Sequence, residues 1–533
     1  MEFLHSLHNY ALAVSKNHFP ISLVYKSSTT LKNIERLTYP FNRIFMALQE
    51  LKPTFDLTEI AKKTMREKNL LTEFLLDVQK ATEKTFDHDA ISPSTKRMTN
   101  FLWCSIDNDD SKYLDQLTYA EKLNDETYKI YIAIAEVDHL VPQNSVIDRH
   151  AQYNTVSIYT PTKVFPMLPE KLSAGLTSLN EGVDRLAIVV EVEVNDNGAL
   201  GNFDIYSALV HNHAKLAYNN VSTWLEGNGP IPEKVAKITG MEAQLYLQDT
   251  ITQLLKEFRH QKGALTLETI KPTTIVEKEE VIDIKNSKKN RARDLIENFM
   301  IVANTITALY LKSKQLPSFR KIVRVPKKWD RIVEIARDLG ETLPDQPDSK
   351  ALDLFLIKQK LLDPVHFPDL SLTIIKLLGN GEYIVEYYDD MPIGHFGLAH
   401  ADYTHSTAPN RRYLDLITQR IIKAALENKE MPYTLNELEK LAKHCTIQEI
   451  EADKVERKMR KSAAMMLLFS KFDEVFDAII TGAGTKGTWV HIFNPSVDGK
   501  LVGGFENKDV GDLILVKLIH LDIENGHIDF TKV

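Results

Sequence analysis

Four aspartates, Asp107, Asp109, Asp110 and Asp115, fall within nine residues between the apolar run Phe101-Leu102-Trp103-Cys104 and a second strand-like run. Carboxylates this close repel one another unless cations sit between them, so the fold must set them around hard-cation sites. The stretch Ser105-Ile106-Asp107-Asn108-Asp109-Asp110-Ser111-Lys112-Tyr113-Leu114-Asp115-Gln116 therefore points to Mg2+ held by oxygen ligands. Paired Mg2+ ions are a common means of making or cutting phosphodiesters.

The rest of the chain limits what can surround this stretch. At 533 residues it exceeds one ordinary core, so two to four domains are expected. No run approaches the ~18 apolar residues of a bilayer span. The N-terminal Met1-Glu2-Phe3-Leu4-His5 lacks the basic start and apolar core of a secretory signal. Two cysteines, Cys104 and Cys445, make neither a disulfide framework nor a zinc set, and a cytoplasmic protein is the expectation.

A net charge of −8 does not advertise a nucleic-acid binder, yet basic stretches punctuate the chain. One comprises Lys285, Lys288, Lys289, Arg291 and Arg293. A second comprises Lys321, Arg324, Lys327, Lys328 and Arg331, with Phe319 and Trp329 interleaved. Arg457, Lys458, Arg460 and Lys461 make the third. Each is equally explained as a solvated helix face.

Three-and-four spacing of Leu57, Ile60, Leu70, Leu71, Phe74, Leu75 and Val78 after Asp56 predicts a helical module over residues 1–95. His88 to Ser94 has the composition of a linker. From 96 to about 215 strand patterns dominate, as in Tyr128 to Ile134 and Leu186 to Val192. Long helices are expected from 240 to 310, and mixed helices and turns to about 470. Short strands with turns at Gly482-Ala483-Gly484, Asp498-Gly499 and Asn525-Gly526 then predict a small closed barrel over 475–533.

Several separated motifs, in order, resemble the RNase II/RNase R (RNB-domain) exoribonucleases. They are the acidic stretch, Ala133 to Val137, Ser157-Ile158-Tyr159-Thr160-Pro161, Phe165 to Ser173, Ser178-Leu179-Asn180 and Asp184 to Ala187. Leu295 to Asn304, His395 to Ala399 and Tyr403 to Leu416 follow. The resemblance runs from about Arg97 and implies an RNB catalytic domain of mixed sheets and long helices (96–470) and a C-terminal OB-fold barrel (475–533); with the helical or winged-helix-like module read over 1–95, an α+β multidomain protein is expected. It also implies Mg2+-dependent, or Mn2+-dependent, hydrolysis of single-stranded RNA from the 3′ end to nucleoside 5′-monophosphates. A monomer without membrane or protein partner is expected.

Residue by residue, the resemblance places metal-site aspartates at relative positions 0, 6, 8 and 9. Here these are Asp107, Tyr113, Asp115 and Gln116, so two of four carboxylates are replaced. Asp115 is the position it marks as most critical. Asp110, in the same turn, is a candidate substitute ligand, and Gln116 offers a carbonyl oxygen. Arg411 would neutralise the scissile phosphate, with Arg412 beside it, and Tyr159 would stack on the terminal base. Glu456 would border the nucleotide site, and Glu297 would hold Arg411. A second stacking position, a phenylalanine in the family, is Leu267. These replacements keep open a second function, an RNA-binding RNB protein with weak or absent catalysis.

Overall fold

The computed structural model describes residues 55–85, 92–268 and 290–533, apart from 327, 365, 392, 400–401 and 485–486, together with the backbone pairing of 271–277 with 280–287. The chain divides into two compact units, Met1–Asp56 and Leu57–Val533. Most of the expected N-terminal module (1–54) and the His88 to Ile91 part of its linker lie outside the described residues. The helical run expected from Leu57 onward is two helices, Leu57–Glu67 and Leu76–Glu83. Asn69, at φ 55°, ends the first by turning left-handed, and the Leu70 N–H donates back to the Met65 carbonyl at 2.8 Å.

The central sheet explains where the acidic stretch goes. Its strands are β1 (Lys96–Arg97), β2 (Cys104–Asp107), β3 (Gln116–Lys122) and β4 (Thr127–Ala135). A short hairpin, β5 (Ile158–Tyr159) and β6 (Val164–Phe165), stands apart from it. The sheet is completed by β7 (Asp184–Asn195), β8 (Leu200–His211) and β9 (Ala214–Ala217), in the order β1-β8-β7-β4-β3-β2-β9. Ile130 to Ala135 are all buried, so the middle of the sheet is covered on both faces. The Met241–Gln261 helix is pinned to β3 by polar side chains: Gln244 accepts from the Ala120 N–H at 2.6 Å, and Gln248 from the Thr118 hydroxyl at 2.7 Å. The Arg291–Ser313 helix packs on β4, β7 and β8.

Between these helices, where helix was expected, lies a hairpin of β10 (Lys271–Glu277) and β11 (Glu280–Ser287). Its Thr-Thr-Ile-Val and Val-Ile-Asp-Ile runs are rich in the β-branched residues that favour strands. A further pair, β12 (Ser318–Ile322) with β13 (Glu382–Glu386), packs near the 34-residue helix Leu435–Leu468.

The C-terminal strands β14 (Val475–Gly484), β15 (Gly487–Phe493), β16 (Ser496–Gly503), β17 (Leu513–Asp522) and β18 (His527–Lys532) close as β14-β15-β16-β18-β17. The expected turn at Asn525-Gly526 joins β17 to β18. Asp498-Gly499, expected as a turn, instead lies inside β16. A Cβ on Gly499 would stand 2.3 Å from the Phe530 ring, so this glycine serves close packing of β16 on β18. Gly482 likewise lies within β14, at a register shift opposite Trp489. Among the described residues no helix is long and apolar enough to cross a membrane.

Candidate active site

Asp107 is the last residue of β2, paired in parallel with Ala217 of β9, so the acidic turn leaves the sheet at a strand's carboxyl end. Its Oδ1 accepts from the Asn108 N–H at 2.7 Å and its Oδ2 from the Ser111 hydroxyl at 3.1 Å. Lys215 on β9 braces the turn, donating to the Ser111 carbonyl at 2.6 Å and the Asp109 carbonyl at 3.4 Å. The carboxylate that folds back is thus Asp107 itself, while Asp109 and Asp110 stand exposed. Among the described residues no three His, Cys, Asp or Glu side chains converge as a metal cluster. Asp110, expected as a substitute ligand, is not drawn into one.

Asp115 sits just before β3 and is 2% exposed. Its carbonyl accepts from the Ala135 N–H at 2.9 Å, which extends the β3–β4 ladder by one residue. Its Oδ2 accepts from Arg411 Nε at 3.1 Å and its Oδ1 from the Asn410 N–H at 3.3 Å. Burial pushes the Asp115 carboxyl above the usual carboxylate range, and Arg411 opposes that. Asp107 is raised for the same reason, opposed by its Asn108 and Ser111 hydrogen bonds and by Arg411. Burial works against charge on Arg411 too, but Asp115 and Tyr159 together outweigh it and raise the guanidinium above its usual range. The Arg411 side chain is nevertheless 45% exposed, leaving it open to a ligand.

Tyr159 is brought alongside by backbone. The Ser157 N–H donates to the Arg411 carbonyl at 2.9 Å, and Val156 bridges to Arg412. The β5–β6 hairpin then presents the Tyr159 ring, 39% exposed. Its N–H donates to Glu456 Oε1 at 2.9 Å, and Glu456 Oε2 in turn pairs with Arg460 at 3.3 Å. Burial pushes the Tyr159 phenol up to about 12, Arg411 opposing and Asp115 and Tyr113 adding, so it is neutral at pH 7. Arg411 is therefore the common neighbour of Asp107, Asp115 and Tyr159.

The RNB-domain family model matches residues 95–428, and that of the RNase II-type exonuclease C-terminal S1 domain matches residues 474–533. The chain belongs to the RNB family. It is 30% identical over 458 residues to Ribonuclease R of Thermotoga maritima, covering 80% of this chain and 63% of that one. Against Ribonuclease R of Escherichia coli it is 29% identical over 464 residues, covering 80% and 56%. The chain thus spans between half and two thirds of these relatives' length. The apo structure of Mycoplasma genitalium RNase R superposes with a TM-score of 0.78 at 25% identity, covering 90% of this chain and 78% of that one. That RNase R has also been solved with double-stranded RNA.

Within the RNB frame the remaining expected residues separate. Arg412 is committed to structure: its Nε and Nη2 clasp the fully buried Asp415 at 2.5 and 2.8 Å, and Asp415 also accepts from the Ala408 N–H. The carboxylate that accepts from Arg411 Nε is Asp115, where Glu297 was the expected partner of a buried arginine. Glu297 lines a cavity of about 650 Å3 with Arg259, His395 and Leu267. Leu267 puts an aliphatic wall where an aromatic face was expected. Tyr113 is half-buried, and burial, with Glu170 adding, raises its phenol, so it stays neutral and is a poor Mg2+ ligand.

Three residues near the site escaped the sequence. Asn410, fully buried, carries the N–H that reaches Asp115. Arg293, in the first basic stretch, donates to Asn108 in the acidic turn at 2.8 Å and lies over the Tyr218 ring. Tyr218 neighbours Asp107 electrostatically. Only Arg293 left a signal, its place in a basic run. Its neighbour Arg291 is bound by Asp249 through two bonds, and in the second run Lys321 and Arg324 pair with Glu449 and Glu382.

The donor set suits one hard cation rather than two. Mg2+ is commonly held by one or two carboxylates, the remaining positions being waters and substrate phosphate oxygens. Asp107, half-buried, and Asp115, buried, supply two such carboxylates, while Tyr113 and Gln116 stand at the other two positions the resemblance gives to carboxylates.

Proposed function

We propose that this protein hydrolyses single-stranded RNA from its 3′ end, releasing nucleoside 5′-monophosphates with Mg2+ or Mn2+ as cofactor. The observation that carries this is the half-exposed Arg411, bonded to the buried Asp115 at 3.1 Å and tied through its carbonyl to Ser157 at the foot of the Tyr159 hairpin, with Asp107 among its electrostatic neighbours. Family membership supports the reaction type and polarity, and the double-stranded RNA complex of the Mycoplasma relative supports RNA as the class of ligand.

The terminal base stacks on Tyr159, a contact indifferent to base identity because every base has a π-face. Glu456 fixes the height of that platform through the Tyr159 N–H. The exposed edge of the Arg411 guanidinium takes the scissile phosphate and offsets charge gathering on its oxygens. Asp107 and Asp115, with Gln116, would hold the cation, which when bound lowers the pKa of the attacking water. Water attacks phosphorus, the bond to the 3′-oxygen of the preceding nucleotide breaks, and that oxygen leaves protonated. Asp115 keeps Arg411 aimed throughout.

A second reading, RNA binding without turnover, is favoured by the replaced carboxylates and by Asp115, whose two oxygens are already engaged by Arg411 and Asn410. Incubating the chain with 3′-tailed single-stranded RNA and Mg2+ or Mn2+, beside Asp115→Asn, separates the two. Mononucleotide release by the wild type and not the variant supports hydrolysis. Retention of intact RNA by both supports the binding protein, and no binding at all would sink both readings.

A further inference from the structure

The Asn410 side chain, one residue before Arg411, is fully buried, and a polar amide is costly there unless its groups are used. Its Oδ1 accepts from the Thr177 hydroxyl at 2.5 Å. Thr177 is delivered by a π-helical stretch, Lys171–Leu176, which it closes by donating its N–H to the Leu172 carbonyl at 3.0 Å. The hydroxyl also lies 2.8 Å from that carbonyl, but the N–H already serves it. The next two residues grip the chain just ahead of Asp115. Ser178 Oγ accepts from the Leu114 N–H at 3.0 Å, and the Leu179 N–H donates to the Leu114 carbonyl at 2.9 Å. Residues 177–179 therefore reach Asp115 from two sides, through its preceding backbone and through Asn410.

With Oδ1 turned to Thr177, the Asn410 Nδ2 is left over. It is buried and makes no close hydrogen bond among the described residues, yet the amide lies beside the Asp115 carboxylate. Burial raises that carboxyl; Arg411, then the Asn410 N–H and the Asn410 side chain, act against it. The opposite orientation of the amide would set its carbonyl oxygen against a carboxylate, which is repulsive. An ionised carboxylate has about four lone-pair sites. Arg411 Nε and the Asn410 N–H take two of them, at 3.1 and 3.3 Å, and Nδ2 is the donor at hand for a third. One direction then remains from which a cation can reach Asp115.

We propose that Asn410 and Thr177 are a positioning pair for Asp115: the Thr177 hydroxyl orients the Asn410 amide, whose Nδ2 closes onto the Asp115 carboxylate and leaves one lone pair for the divalent cation. This rests on the function proposed above. Both residues are buried, so neither meets RNA, and both act through Asp115. The pair also holds Asp115 when the exposed edge of the Arg411 guanidinium takes phosphate, because the carboxylate is then not held by Arg411 alone. Hydrogen-bond partners behind a metal ligand change metal affinity by about 10- to 100-fold.

The test is Mn2+ binding to the full chain without RNA, read by electron paramagnetic resonance of the free ion and referred to the site lost in Asp115→Asn. Asn410→Leu, which keeps the volume, and Thr177→Val should each weaken that site about 10- to 100-fold. Thr177→Ser, which keeps the hydroxyl, should restore it. The double variant Asn410→Leu/Thr177→Val should be no worse than Asn410→Leu alone, and additive losses would overturn the pairing. Fluorescence anisotropy of a labelled oligouridylate of about 4 nucleotides in EDTA reads Tyr159 and Arg411, and it should be the same in every variant. A packing defect beside Arg411 would loosen the RNA as well, so parallel losses of Mn2+ and RNA would overturn the positioning role. Unchanged Mn2+ affinity in Asn410→Leu would overturn it too, while leaving Asp115 as a cation ligand. A wild type with no Mn2+ site sensitive to Asp115→Asn removes the cation from the function proposed above and the positioning pair with it.

Discussion

Burial opposes charge on both Arg411 and Asp115; their mutual attraction offsets part of that cost for Asp115 and, with Tyr159, more than offsets it for Arg411. Arg411→Ala should therefore cost about 1–3 kcal/mol of stability, since it strands a buried acceptor, as a fall in denaturation midpoint would show. Asp115→Asn keeps an acceptor for Arg411 and should cost less. Tyr159→Ala should weaken binding of a short strand by about 1–3 kcal/mol, roughly 5- to 150-fold in Kd, whereas Tyr159→Phe should stay near wild type. Equal losses for the two Tyr159 variants would mean that the hydroxyl, not the ring face, matters. At this scale Asp107, Asp115, Arg411 and Tyr159 were legible because each lies in a short motif whose spacing resembles the family. Asn410 was not, because it contributes a backbone N–H, which no residue identity announces.

The Leu435–Leu468 helix is the element that gathers the site. Its start is secured by a capping box, Thr434 accepting from the Glu437 N–H at 3.3 Å while the Glu437 carboxylate accepts from the Thr434 N–H at 2.8 Å. Thr434→Ala should cost about 0.5–2 kcal/mol in chemical denaturation. Further along, Glu456 accepts from the Tyr159 N–H, and under the proposed function it would act on RNA through that residue. Glu456→Ala should weaken short-strand binding less than Tyr159→Ala does, and the double variant should be no worse than Tyr159→Ala alone. Additive losses would show that Glu456 meets RNA by a separate contact. The Thr-x-x-Glu start was visible in the chain, but the direction of each later side chain depends on what the helix packs against.

At the scale of the whole molecule, the chain carries a net charge of −8, and Lys376, Lys461 and His491 surround Asp498 where the Leu435–Leu468 helix meets the barrel. The seam carries its own pH signature. Burial tends to raise the Asp498 carboxyl, but the His491 hydrogen bond, with Lys376 and Lys461, holds it well below the usual carboxylate range. A carboxyl lowered on folding adds stability above its unfolded pKa of about 3.9, and that stability is lost as pH falls below it. The melting-temperature gap between wild type and Asp498→Asn should therefore be present above about pH 4 and narrow progressively as pH falls below it. A gap independent of pH would mean that the charge of Asp498 contributes nothing.

The order of elements, the barrel and the metal-side aspartates were determined by the sequence itself, because periodicity and motif spacing are local properties of a chain. Local composition misled at β10–β11, where a β-branched run lies between two long helices, and at Gly499, which looks like a turn until Phe530 is seen against it. Only the tertiary structure decided which charges are free. Arg412, Arg291 and Lys321 are bound by carboxylates 3 to 128 residues away, while Arg457 and Lys461 have no ion pair or hydrogen bond among the described residues. Pairing energy falls with distance in space, not along the chain, so a basic residue in a sequence cannot show whether its charge is already spent.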